Sequence, residues 1–219
     1  MNKAIATIVF LLINVSVQCF CPVYGQYDPK AEEILDQVSK KYESIKSYKA
    51  EFSYQLENQQ TKVKDKFTGE IIVKGSKFTI NLGNQEIINN GSTVWTFLRD
   101  ENEVNISDYT PNEDEVTPTK IYSMYKSGFK YLYANEEKIK GVAYNVIDLN
   151  PENKNKPYFK IRLWINKKDH SVAMWKIFEK NGNRFLYTVS KFVSNPKLED
   201  AIFTFDKTKY KDVEVIDLR

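Results

Sequence analysis

Residues 67–98 read FTGEIIVKGSKFTINLGNQEIINNGSTVWTFL, and the prediction of the fold begins here. The stretch holds four short apolar runs that are rich in β-branched and aromatic residues. Turn-forming residues separate the runs at 74–77, 83–84 and 89–92. Apolar runs broken by Gly and Asn turns predict an antiparallel β-meander. No pattern in this stretch indicates a nucleophile or a metal site, so its chemistry is that of an apolar surface.

The segments on either side extend the same sheet. Residues 48–57, YKAEFSYQLE, alternate strictly between apolar and polar side chains, which predicts a strand with one dry and one wet face. Similar segments follow to the C terminus, and Asn181-Gly182-Asn183 predicts a hairpin turn. We expect about eleven strands in one long antiparallel sheet that curls. Residues 26–219 are enough for one domain of this kind.

Two helices are expected beside the sheet. Residues 28–46 have Asp28 as a helix N-cap and Pro29 at the first helical position. Residues 117–127 form a second, shorter helix that ends at Gly128. The first helix either packs on the sheet as part of the core or covers the mouth of a cavity, and its amphipathic pattern does not separate the two.

The first 25 residues predict a secretory signal peptide. Lys3 supplies the positive charge, residues 4–20 are mostly apolar, and the chain is expected to be cleaved after Gly25 or Gln26. A permanent membrane anchor is the alternative, but the apolar stretch is short and is interrupted by polar residues. Residues 26–219 are therefore expected to be exported.

The remaining composition argues against several classes of chemistry. Cys19 and Cys21 both lie in the signal peptide without a small residue before them, so we expect neither lipidation nor disulfides in the exported part. Removing Lys3 leaves 31 basic and 29 acidic side chains, a balance that does not suggest nucleic-acid binding. His170 is the only histidine. We therefore expect no metal or other cofactor and no enzyme activity, although a carboxylate pair assembled by the fold stays open.

The aromatic content is high, with fourteen Tyr, thirteen Phe and three Trp residues, many of them on alternating faces. These rings form either an ordinary β core or the lining of a half-barrel pocket for a lipid-like ligand.

Several segments resemble one known family. Residues 71–74 (IIVK), the following Lys77-Phe78, and residues 90–95 (NGSTVW) are similar to segments of the outer membrane lipoprotein carrier (LolA) family. The likeness continues at 117–118, 203–205 and 213–217. It implies a mainly β fold, namely an unclosed antiparallel half-barrel of eleven strands with a helical lid over an apolar cavity.

The resemblance also implies a function. A member of this family takes acylated lipoproteins released from the inner membrane by an ABC transporter, carries them across the periplasm, and delivers them to an outer membrane acceptor. It has no ATPase activity of its own, and we expect a monomer. In this family an arginine that holds the lid closed follows the segment matched here by 71–74, whereas this chain has Gly75. Either another residue closes the lid, or this carrier stays more open.

The predicted ligand surface follows from the alternation of apolar residues. The cavity is expected to be lined by Ile34, Leu35, Val38, Phe52, Tyr54, Ile71, Val73, Phe78, Ile80, Trp95 and Phe97. The lid is expected to contribute Ile121, Met124 and Tyr125. A phase error of one residue would move a side chain to the other face of its strand.

Three alternatives stay open. A carrier or sensor of another lipid, a glycolipid or a pigment intermediate could use the same fold. An outer membrane receptor for lipoproteins would need an acylated N-terminal cysteine, which the residue before Cys19 argues against. A hydrolase on this scaffold has only unpaired carboxylates in its favour.

Overall fold

The computed structural model describes residues 27–58, 60–110, 116 and 120–219. The predicted signal peptide, the acidic residues 113–115 and the predicted start of the second helix at 117–118 lie outside the described residues. Within the described part, no helix has the length and apolar character needed to cross a membrane.

Twelve strands in the described residues form a single sheet. The first six are β1 (Ser47–Asn58), β2 (Val63–Lys74), β3 (Lys77–Leu82), β4 (Gln85–Asn89), β5 (Thr93–Leu98) and β6 (Glu103–Asp108). The other six are β7 (Phe129–Ile139), β8 (Val142–Pro151), β9 (Tyr158–Asn166), β10 (Val172–Glu179), β11 (Asn183–Ser194) and β12 (Glu214–Asp217). Their order is β12-β6-β5-β4-β3-β2-β1-β11-β10-β9-β8-β7, so the sheet has two edges and the predicted unclosed half-barrel is confirmed.

Two meanders, β1 to β6 and β7 to β11, meet where β1 pairs with β11. The turns within each meander are short, as the sequence predicts. The twelfth strand is the exception, because β12 lies parallel to β6 at the edge. The expectation of an entirely antiparallel sheet is wrong at this strand, since the C-terminal segment returns along the sheet before it joins the edge.

Helix α1 spans Pro29–Glu43 and begins as predicted. The Asp28 side chain accepts hydrogen bonds from the backbone nitrogens of Lys30 (2.9 Å) and Ala31 (3.3 Å), and Pro29 occupies the first turn. Apolar residues at helical spacing give α1 one buried face, which packs on β7 to β10. That face consists of Ala31, Ile34, Leu35 and Val38.

The described part of the predicted second helix is not an α-helix. It is a turn over 120–123 followed by one 3-10 turn, Met124–Lys126. Gly128 follows with a positive φ of 75°, which ends any helix there. Nucleation of an α-helix is unfavourable, and so short a segment forms too few helical hydrogen bonds to compensate for it. We call residues 120–126 the lid segment.

The sheet has an inner face, which carries α1, and an outer face. Residues directly opposite each other in paired strands share a face. Phe78 pairs with Asn89, and Asn89 pairs with Val94, so Val94 lies on the inner face and its neighbour Trp95 on the outer face. Phe97 also lies on the outer face.

The prediction that Trp95 and Phe97 line the inner cavity is therefore wrong. Both rings belong to an outer cluster with Val104 of β6, and the C-terminal segment covers that cluster. The side chains that cover it are Phe205, Tyr210 and Val213. The cause is the phase error of one residue to which period-two patterns are prone.

Candidate functional site on the inner face

A row of aromatic rings crosses the inner face from β10 to β2. Trp175 stacks on Tyr187 with ring centroids 4.8 Å apart, and Tyr187 lies 5.1 Å from Tyr54. Tyr54 in turn lies 6.1 Å from Phe67. The four residues are direct cross-strand partners, so their side chains stand on one face. We call them the aromatic row.

The inner face has a covered half and an open half. In the covered half, over β7 to β10, the helix and lid segment bury the strand side chains into one core. In the open half, over β1 to β3, Tyr54 and Phe78 stay partly exposed and Phe67 is 43% exposed. The apolar side chains of the open half are Phe52, Tyr54, Phe67, Ile71, Val73, Phe78, Ile80 and Leu82. Phe52, Ile71 and Val73 are buried. The apolar surface that this half offers to a ligand is therefore that of the other five side chains, which are at least partly exposed.

Gly69 gives the open half its shape. A Cβ atom on Gly69 would lie 2.9 Å from the Phe52 ring and 2.6 Å from the backbone oxygen of Asn81. Real Cβ atoms do not come so close, so only glycine at this position allows the Phe52 ring to pack against the backbone of β2. The sequence prediction missed this residue, although an isolated Gly inside a strand pattern was the available signal.

A cavity lies at the end of the open half, where α1, β1, β2 and the lid segment meet. Its volume is about 210 Å³. Tyr42, Tyr48, Val73 and Tyr122 form part of its wall. Ligand pockets for drug-sized molecules usually measure about 300–1,000 Å³, so this cavity is too small for a long acyl chain unless its walls move.

A second cavity of about 360 Å³ lies between the end of α1 and strands β10 and β11. Tyr42 and Ile45 line both cavities and therefore stand between them.

Gly75 lies at the rim of the first cavity, where the family resemblance places a lid-closing arginine. Its φ is +59°, and its backbone nitrogen donates to the Lys46 oxygen (3.2 Å). Left-handed backbone favours glycine because a Cβ strains it. This turn geometry accounts for glycine at the position.

Stacked tyrosines hold the lid segment to α1 instead. The Tyr42 and Tyr122 rings lie 3.4 Å apart and nearly parallel, at 6°. Burial raises the pKa of Tyr42 to about 12 and raises the pKa of Tyr122 well above its usual value, so both are neutral at physiological pH. The stack is thus an uncharged contact that salt does not screen.

Two polar contacts accompany the stack. The Tyr125 hydroxyl donates to Asp36 Oδ1 (2.7 Å). The Lys126 ammonium donates to Glu43 Oε1 (2.6 Å), which also accepts from the Ser39 hydroxyl (3.0 Å). The Lys126 partner holds the pKa of Glu43 below its usual value. The stack and both polar contacts join the lid segment to α1, so closure depends on this helix.

The structure distributes the predicted site residues over both halves of the inner face. In the covered half, Met124 packs at the border of a core that buries Ile34, Leu35, Val38, Ile121 and Tyr125. In the open half the structure places Phe52, Tyr54, Ile71, Val73, Phe78 and Ile80. The prediction omitted Phe67, Leu82, Trp175 and Tyr187, whose alternation within their strands was the signal for including them.

The polar groups do not assemble into a metal site in the described part of the chain, where no three His, Cys, Asp or Glu side chains are placed to hold an ion. His170 lies in the turn between β9 and β10, as predicted. The arrangement can bind an apolar molecule through its aromatic and aliphatic surface.

Among solved structures, an uncharacterised conserved protein from Thermus thermophilus shares this fold, with a TM-score of 0.55 at 15% identity over 86% of this chain and 99% of its own. A LolA superfamily protein from Nitrosomonas europaea aligns with a TM-score of 0.43 at 14% identity over 80% of this chain and 98% of its own. The Mycobacterium tuberculosis lipoprotein LppX aligns with a TM-score of 0.44 at 12% identity over 78% of this chain and 98% of its own. No protein of curated function matches the sequence.

The sequence profile described as "Outer membrane lipoprotein carrier protein LolA" matches residues 43–206, from the end of α1 to the segment that follows β11. This range includes the whole open half of the inner face and the lid segment. The chain belongs to the outer membrane lipoprotein carrier (LolA) family.

Proposed function

We propose that this protein binds the acyl chains of lipoproteins on the open half of the inner face and carries them across the periplasm. An ABC transporter of the inner membrane would supply the lipoproteins, and an acceptor at the outer membrane would receive them. Family membership supports this role. The observation that carries the proposal is the apolar surface that runs from the aromatic row to Ile80 and remains partly exposed.

The energetics of acyl chains explain why such a carrier is needed. A triacylated anchor has on the order of 45 methylenes, and each costs roughly 0.8 kcal/mol to expose to water. Full exposure therefore costs about 36 kcal/mol, which exceeds the roughly 20 kcal/mol limit of non-covalent affinity. The anchor must pass from one apolar surface to the next by contact, without a free intermediate in water.

Access to the covered half requires the lid segment to separate from the sheet. Its contacts with α1 include one ring stack, one hydrogen bond from a tyrosine hydroxyl to a carboxylate, and one exposed ion pair. A hydrogen bond to a charged group contributes about 1.5–3 kcal/mol, and exposed ion pairs contribute little because water and salt screen them. Opening also exposes Ile121, Tyr122 and Tyr125, which are buried in the core. A ligand must therefore bury a comparable apolar area in their place to hold the lid segment open.

Depletion of the protein tests the carrier role. We expect outer membrane lipoproteins to accumulate in the inner membrane when the protein is depleted, and to reach the outer membrane again when it is restored. A variant with Ile80→Asp, which places a charge on the open half, should fail to restore sorting although it is exported and folded. Correct sorting in depleted cells would refute the carrier role.

The aromatic row favours a second candidate cargo. Tyr54 and Phe67, the exposed end of the row, have rings inclined by only 29° to each other. Such rings suit a rigid or planar lipid, such as a glycolipid or pigment intermediate, better than a flexible saturated chain. Mass spectrometry of the molecules that copurify with the exported protein separates the two. Lipopeptides would support the lipoprotein cargo, whereas unsaturated or cyclic lipids alone would support the second candidate.

A further inference from the structure

The outer face carries a basic and aromatic patch at one end of the sheet. This end holds the turns between β1 and β2, β8 and β9, and β10 and β11. The patch, which we call the basic rim, consists of Phe159, Lys160, Lys176, Phe178, Lys180 and Arg184.

A β-bulge aims Phe159 outward. Phe178 pairs with Lys160 and the next residue, Glu179, pairs with Tyr158, so Phe159 is the extra residue in β9. Its neighbour Tyr158 stays buried on the inner side, stacked on Phe129. Bulges commonly redirect side chains in this way. Phe159 is 45% exposed, with its ring 6.1 Å from that of Phe178.

Cations surround these two rings. The Phe178 centroid lies 4.4 Å from the Lys160 ammonium and 5.1 Å from the Arg184 guanidinium. Arg184 also lies 5.5 Å from the Phe159 ring. Ring faces attract cations without neutralising them. Lys160 also lies 3.7 Å from Asp148 and Lys176 3.6 Å from Glu57, so the charge available to an anionic partner is the excess of cations over these carboxylates.

The ion pairs and ring contacts of this area contain more cations than carboxylates. Five cations and two carboxylates take part in them, an excess of three positive charges within this set. The whole chain has a net charge of only +3. The charged residues are Glu57, Lys64, Asp148, Lys160, Arg162, Lys176 and Arg184. Lys180, in the adjacent turn, is exposed and adds a further cation.

The basic rim adjoins the open half of the inner face. Arg184 points outward, whereas the next residue, Phe185, lies on the inner face with its ring 5.9 Å from that of Tyr54. Glu57 pairs with Arg184, and both are close to the β1–β2 turn. A surface that contacts the basic rim therefore also lies next to the end of the aromatic row.

From this placement we propose that the basic rim docks on an anionic phospholipid bilayer, with Phe159 at the level of the headgroups. An exposed aromatic ring among cations is the usual composition of an interfacial membrane contact. The cations are spread over three strands and a turn, which suits a fluid array of phosphates better than one acidic peptide. Docking does not depend on the nature of the cargo.

Vesicle binding tests this proposal. The chain, in the form that a secreting host releases, is mixed with vesicles of phosphatidylcholine alone or with about one-third phosphatidylglycerol, and bound protein is measured by sedimentation. Binding is expected only with the anionic lipid and should weaken as salt is raised. The triple variant Lys160→Gln, Lys176→Gln, Lys180→Gln should bind roughly 100-fold more weakly, because each cation near an anionic surface strengthens binding about fivefold.

Matched controls remove the same charge elsewhere. Lys138, Lys140 and Lys168 are exposed at the opposite end of the sheet, and their triple replacement by Gln should leave vesicle binding unchanged. Phe159→Ser should weaken binding, whereas Val142→Ser, which changes a residue that is 39% exposed at the opposite end of the sheet, should not. Thermal unfolding confirms that each variant is folded.

Equal binding to neutral and anionic vesicles, or equal weakening by the two triple variants, would overturn the proposal. Failure to bind anionic vesicles at all would do the same and would leave an acidic protein as the partner of the rim. None of these results bears on acyl-chain binding, which is measured without vesicles.

Discussion

The carboxylate of Asp28 connects α1 to the edge of the sheet, because its Oδ2 atom accepts a hydrogen bond from the backbone nitrogen of Tyr133 (3.1 Å). Its Oδ1 atom caps the helix. The Asp28 backbone nitrogen donates to the Tyr131 oxygen (3.2 Å) on the same strand, β7. One buried residue therefore fixes where the helix begins and how it sits on the covered half.

Replacing Asp28 tests this connection. Asp28→Ala is expected to lower the free energy of unfolding by about 2–3 kcal/mol, since it removes an N-cap and leaves the Tyr133 nitrogen without its acceptor. Asp28→Asn should lower the free energy of unfolding less, because its amide oxygen can still cap the helix. Asp206→Ala is the matched control, since Asp206 is partly exposed and caps only one 3-10 turn. Urea denaturation measures all three, and equal losses for Asp28→Ala and Asp206→Ala would contradict the assignment.

Gly69 provides a prediction about the shape of the open half. Gly69→Ala should lower the free energy of unfolding by about 1–3 kcal/mol, because the new Cβ overlaps the Phe52 ring and the Asn81 backbone oxygen. Combining it with Phe52→Leu, which shortens the overlapping side chain, should cost less than the sum of the single changes. Additive losses in this double-mutant cycle would show that the two residues do not compete for the same space.

The sequence was informative wherever one face of a strand is dry and the other wet. In β1 the alternation placed Phe52 and Tyr54 on the inner face correctly. In β5 it failed, because Trp95 and Phe97 are covered by the C-terminal segment while Val94 lies on the other face. A strand that is apolar on both faces has no readable phase. The C-terminal segment that covers the outer face of β5 lies far away in the sequence, so no local pattern indicates this contact.

The closure of the lid could not be predicted for a related reason. Gly75 showed that the family's arginine is missing, but the contacts that replace it depend on how the lid segment lies on α1. Tyr42 and Tyr122 are far apart in the sequence, and no local pattern connects them. The amphipathic spacing of α1 likewise could not tell a helix that covers a cavity from a helix of the core.

Because Phe67 is exposed, replacing it tests ligand binding without disturbing the packing of the core. Phe67→Ser is expected to weaken binding of a fluorescent fatty acid by about 10–100-fold, because burying a Phe side chain contributes about 1.5–3 kcal/mol. Stability should change little, since Phe67 is 43% exposed. Val193→Ser is the control, because Val193 is similarly exposed at 40% but lies on the outer face beside Lys49. Displacement titrations give both affinities, and an unchanged affinity for Phe67→Ser would exclude this end of the aromatic row from the site.

The tyrosine stack should control how fast a ligand enters. Tyr122→Ala removes one ring of the stack and should accelerate association of the fatty acid, because the lid segment loses its main contact with α1. Tyr122→Phe keeps the ring but loses the hydrogen bond between the two hydroxyls, so its rate should rise less than that of Tyr122→Ala. Stopped-flow fluorescence measures these rates. Equal rates for Tyr122→Ala and the wild type would mean that the lid segment does not limit entry.

The ion pair between Lys126 and Glu43 makes entry depend on pH. Because Lys126 lowers the pKa of Glu43, the pair is complete above the ordinary pKa of a glutamate, about 4.3, and is lost as the pH falls through the lowered value. Association of the fatty acid should therefore accelerate modestly below about pH 4. Lys126→Gln should remove most of this acceleration and raise the rate slightly at neutral pH, because Glu43 then has no cationic partner to lose. An acid acceleration of the same size in Lys126→Gln would assign the effect to another carboxylate, with Asp36 beside Tyr125 as the next to replace.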